Sequence, residues 1–137
     1  MTRKRTVAAV ALGAYLLANL AHGVPHAAVP VPLTPFQSAF VAAVTLAPIV
    51  GFVLLLRGSE RLGSAVFVVS MAASLAFGVY FHFLVPNPDS VRAVSGPWSG
   101  PFFLTAALVA AAGAAGVVAG AWPLNGERSE SPEARRR

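Results

Sequence analysis

No cysteine occurs in the 137 residues. Disulfides, thiolate metal sites and thiol catalysis are therefore excluded. Charge is nearly as scarce. Asp, Glu, Lys and Arg together make 11% of the chain, where a soluble domain carries roughly 25%. Lys4 is the single lysine. Hydrophobic residues reach 56% and the mean hydropathy is +0.69. Too few charged groups remain to cover a water-exposed surface, so an ordinary soluble enzyme is excluded. The net charge of +5 and pI of about 11.2 would suit a nucleic-acid binder. The basic residues other than Arg92, however, sit at the two ends and in one short loop. That pattern belongs to membrane orientation, and no nucleic-acid partner is expected.

The gaps between charges carry the architecture. No charged residue falls in 6–56, in 62–88 or in 93–126. A bilayer-spanning helix needs about 20 apolar residues at 1.5 Å rise each. The second and third gaps fit one span each, and the first fits two. Pro25, Pro30, Pro32 and Pro35 divide the first gap, because proline removes a backbone donor and clashes with the turn before it. The spacing predicts four helices at about 6–24, 35–56, 62–85 and 101–122, forming a membrane domain over 1–123. Thr34 before Pro35 reads as an N-cap followed by a first helical residue. Pro48 is expected to kink the second helix, and Pro86 and Pro88 to stop the third. The Glu-, Ser- and Arg-rich tail, 124–137, has too little apolar surface to fold and is expected to be disordered.

Orientation follows from the basic residues. Arg3, Lys4, Arg5, Arg57, Arg61, Arg128, Arg135, Arg136 and Arg137 share one side of a four-span layout. Only Arg92 lies on the other. The expected protein is all-α, an up-down bundle in the cell membrane with both termini cytoplasmic, and the loops 25–34 and 86–100 face outward. A signal-peptide reading of the first span also exists, with Arg3–Lys4–Arg5 ahead of an apolar run and Ala21–His22–Gly23 as a cleavage site. Its apolar run is slightly long for that.

Lipid tails are as apolar as leucine, so small residues rather than burial must bring such helices together. Ser70, Ser74 and Gly78 recur at spacing four on the third helix, and Ala112, Gly116 and Gly120 on the fourth. A compact bundle is expected. The sharper alternative is a homodimer through Gly116 and Gly120.

All three histidines fall near the outer side. Tyr15, Asn19, His22 and His26 form one polar stripe if the first helix continues through Pro25. Ser70, Ser74, Gly78 and His82 form a second. Polar stripes inside a membrane face the bundle interior, so the two are expected to meet, and Asn87 and Asp89 can fold back over His82. Three readings stay open. The histidines are interface residues bonded to loops or headgroups. Or His22, His26 and His82, with Asp89, bind Zn²⁺ or copper, since neutral imidazole suits both ions and a carboxylate completes a zinc site. Or His82 and one other histidine hold a haem between two helices.

The absences weigh against chemistry elsewhere. No acid lies within a span, where proton-coupled transport commonly needs one. Small four-helix multidrug exporters resemble this chain in size alone, because they depend on a glutamate in the first helix. No phosphate-binding glycine loop follows a strand. The expected role is a non-enzymatic membrane subunit or scaffold, acting by helix packing with lipid, with its own copies or within a larger complex. The histidine site is the alternative, and a small transporter the third.

Overall fold

The computed structural model describes residues 2–29 and 31–126, the last four of these as backbone alone. Every regular element among them is helical. Helices α1 (Arg3–Ala28), α2 (Pro35–Leu56), α3 (Glu60–Val79) and α4 (Ser99–Gly126) form the bundle. A π-helical turn, Tyr80–Leu84, extends α3, and a short 3₁₀ turn, Gly96–Trp98, leads into α4. All four helices are long and apolar enough to cross a membrane.

Local chemistry sets the ends. Thr34 caps α2 in a reciprocal box: its hydroxyl accepts from the Gln37 amide, and the Gln37 side chain accepts from the Thr34 amide. Glu60 opens α3 with a negative charge at the positive end of the helix dipole. α1 runs past Pro25 to Ala28, beyond the end at 24 that the prolines suggested. Proline costs one intrahelical bond, but packed helices tolerate it, and Pro25 is fully buried. Pro48 is likewise held inside α2. α4 continues to Gly126, so the first residues of the expected tail are helical. Residues 127–137 of that tail lie outside the described residues.

Around the bundle, α2 packs on α3, α3 on α4, and α4 on α1, while α1 meets α2 only sparsely. One end is closed by glycine. A Cβ on Gly51 would stand 2.7 Å from the Phe67 amide nitrogen, and one on Gly63 would stand 2.7 Å from that of Leu55. α2 and α3 therefore cross backbone to backbone. Gly116 and Gly120 instead receive side chains of α3, those of Met71 and Phe67, with Cβ approaches of 2.8 Å. The Gly116–Gly120 face, whose spacing would also suit a second copy, is filled within the chain. Leu12, Tyr15, Phe67 and Met71 form the core at this level. At the same end Arg5 meets Glu60 at 3.4 Å, and Arg3 lies over Trp122.

Candidate metal centre

The two polar stripes do meet. Tyr15 donates to Ser74 Oγ at 2.6 Å, tying α1 to α3 diagonally across the bundle. Asn19 turns back on the Tyr15 carbonyl. Two turns above Tyr15, His22 reaches His82 at 3.2 Å, Nε2 to Nε2. His26, one turn further along α1, completes a group of three imidazoles. One ligating nitrogen from each lies within 4.8 Å of the others.

The π-helical turn is what aims His82. The Val85 amide bonds to the Tyr80 carbonyl five residues back, which widens the helix at this point. Asn87 satisfies two carbonyls freed at its end, those of Phe81 and Val85, and the Val91 amide returns to the His82 carbonyl. The Asn87 side chain also accepts from the Asp89 amide. The loop is thereby folded back over His82, and Asp89 is delivered to the cluster.

The hydrogen-bond partners set the tautomer of His82 and allow two for His22. His82 Nδ1 lies 2.9 Å from the Asp89 carbonyl, which can only accept, so Nδ1 carries the proton. His22 Nδ1 lies 2.9 Å from Thr105 Oγ1. The threonine hydroxyl has one proton and lies within reach of both this nitrogen and the Pro101 carbonyl, at 2.8 Å; where it donates to the carbonyl, the ring nitrogen donates to it. In that arrangement both Nε2 atoms carry lone pairs and stand 3.2 Å apart; in the other, His22 Nε2 donates to His82 Nε2. Two lone pairs facing each other in a buried site need a cation or a shared proton between them. Two nitrogens on one tetrahedral zinc, each at about 2.0–2.1 Å, stand roughly 3.3 Å apart.

Asp89 adds negative charge without joining this contact. Its Oδ1 lies 3.2 Å from His26 Nε2 and 3.4 Å from His82 Nδ1. It is buried and accepts no aligned hydrogen bond. It stands on the Nδ1 side of His82, with the ring between it and the facing Nε2 atoms. The mutually reachable set is therefore the three histidines, with the carboxylate behind them.

Phe102 of α4 packs against all three imidazoles, at centroid distances of 5.0–5.6 Å, and closes the cluster on that side. A partly open cavity of about 410 Å³ lies on the side of α2, and all three histidines and Asp89 line it. A haem does not fit this arrangement. Two axial histidines need roughly 4 Å between their nitrogens with the macrocycle plane clear between them. Imidazole centroids only 4.6–5.9 Å apart leave no such plane.

Sequence reasoning singled out the three histidines, Asp89 and Asn87. It missed Thr105, whose place four residues after Pro101 carries no recognisable ligand signal, and it missed Phe102 and the cavity. No family model, no curated protein and no solved structure matches this chain.

Proposed function

We propose that this is a multi-pass membrane protein with both termini cytoplasmic, whose outward-facing end holds a divalent transition-metal ion, zinc first, on His22, His26 and His82. The observation that carries the reading is the convergence of three imidazoles, their ligating nitrogens within 4.8 Å of one another and two of them 3.2 Å apart. Backbone carbonyl and hydroxyl partners on the opposite nitrogens are the usual outer shell of metal-bound histidine. His26 is the least buried of the three, and a side-chain rotation brings its nitrogen into the set. Asp89 offsets the ion's charge and orients His26 and His82 from behind. Copper is favoured by the same nitrogen donors, and availability decides between the two ions.

Membrane insertion is supported by the surface. Only 22–33% of each span is buried, and Val10, Leu17, Leu20, Phe36, Val69 and Val118 are among the many large apolar residues left exposed. Water would not tolerate a belt of that extent. The cytoplasmic assignment rests on the basic residues at the glycine-packed end. A metal does not by itself make an enzyme. An ion joining α1 to α3 would lock the outer end of the bundle, and the chain would remain a membrane subunit or scaffold.

Thermal unfolding of the purified protein with zinc, and again with a chelator, tests the metal. A ligand that binds only the folded state raises stability by about 2.7 kcal/mol at a hundred times its Kd. The wild type should gain stability with zinc, and a His22→Ala/His82→Ala double variant should not. Equal curves for wild type with zinc and with chelator would leave a proton-bridged imidazole pair instead. Topology is tested in this cysteine-free background by labelling Ser59→Cys and Ser95→Cys, both at exposed positions. An impermeant reagent outside the cell should reach only the second.

A further inference from the structure

The cavity beside the histidines has a shape that a metal site alone does not require. Much of its lining is apolar, including Val31, Leu33, Val41, Phe77 and Val109. It lies along the facing sides of α1 and α2, the one neighbouring pair in the bundle that packs sparsely. Two glycines keep it wide. A Cβ on Gly23 would meet nothing within 4 Å, and one on Gly78 would meet only the His82 ring, at 3.9 Å. Its volume, about 410 Å³, is within the range of small-molecule sites.

Resting on the metal reading above, we infer that this cavity receives a single-chain fatty carboxylate from the bilayer, with its headgroup on the metal's fourth position and its tail toward the α1–α2 seam. Three protein ligands leave a tetrahedral ion one open position. Three neutral imidazoles and one carboxylate leave a divalent ion with one uncompensated positive charge, so the fourth ligand is best an anion. Apart from the histidines and Asp89, the lining is mostly apolar, with Asn19, Thr45 and Ser74 its polar side chains. Entry between α1 and α2 keeps the tail in apolar surroundings throughout.

The test uses the full chain in lipid nanodiscs, loaded with Co²⁺ so that its visible absorption reports on the ligands. Decanohydroxamate and acetohydroxamate stand in for the long and short carboxylates. Gly23→Leu and Thr45→Phe narrow the cavity without touching a histidine. Both variants should take up Co²⁺ and acetohydroxamate as the wild type does, and should bind decanohydroxamate roughly tenfold more weakly or worse. Partition of the probe into lipid is the same for all three proteins and cancels. Unchanged decanohydroxamate binding in both variants, with the Co²⁺ spectrum intact, would overturn the cavity assignment alone. Absence of any Co²⁺ spectrum in the wild type would overturn the metal reading and this inference with it.

Discussion

The two ends of the bundle are built on opposite principles. At one end, Gly51, Gly63, Gly116 and Gly120 bring backbones and the large side chains of Phe67 and Met71 together with no room for a Cβ. At the other, Gly23 and Gly78 leave space unused, and three imidazoles and a carboxylate stand around it. The same residue type closes one region and opens the other. What differs is the neighbour: α2, α3 and α4 press on one another, whereas α1 and α2 part. On the membrane reading proposed above, apolar burial gives no drive to association, and close packing supplies stability at the first end. The second end carries polar groups that need each other, or an ion, to be satisfied.

This contrast can be broken most severely at the glycine-packed end. Gly63→Leu places a side chain against the Leu55 amide and the Gly51 carbonyl, at 2.7 and 2.8 Å from its Cβ. Backbone cannot yield as a side-chain tip does, so the cost should reach about 3 kcal/mol or more. Gly23→Ala at the open end should fall within about 0.5 kcal/mol of wild type. Denaturant unfolding of both, compared with wild type, checks the pair. If they cost the same, the two ends are not packed differently.

Next in size is the loss of a proposed ligand. His82→Ala should lower zinc affinity by more than the 10–100-fold typical of an outer-shell change, in a competition titration against a chelator of known affinity. Thr105→Val removes the hydroxyl partner of His22 Nδ1. It should cost about 10–100-fold, and Thr105→Ser should restore it. An unchanged affinity in Thr105→Val would mean that His22 does not depend on that partner. The smallest effect belongs to the boundary between the two ends. Tyr15→Phe loses the bond to Ser74, worth about 0.6 kcal/mol on average between membrane helices, with zinc affinity unaltered.

The charge gaps and prolines made four long apolar helices legible in the sequence, because a missing charge over 20 residues has few other meanings. They misplaced the end of α1. Pro25 reads as a helix stop when propensity is considered alone, and the bundle packs around it instead. That misplacement mattered, because only an unbroken helix sets His22 and His26 one turn apart on the face that meets His82. Helical spacing brought the four candidate residues to one place but did not assign their parts. Asp89 was grouped with the ligands because carboxylates complete zinc sites. Its place behind His82 depends on the π-helical turn and on Asn87, and a one-residue widening leaves no mark in hydrophobic periodicity. Thr105 and Phe102 were invisible for a similar reason. A threonine and a phenylalanine on an apolar helix become informative only when the neighbouring helix is known.

X-ray absorption at the zinc edge, on protein loaded with one equivalent of zinc and freed of excess, tests the central claim most directly. Three imidazole nitrogens at about 2.0–2.1 Å with one lighter oxygen donor are predicted, and the histidine scattering should disappear in the His22→Ala/His82→Ala variant. Folded wild-type protein that retains no zinc, or zinc surrounded by oxygen alone, would contradict it.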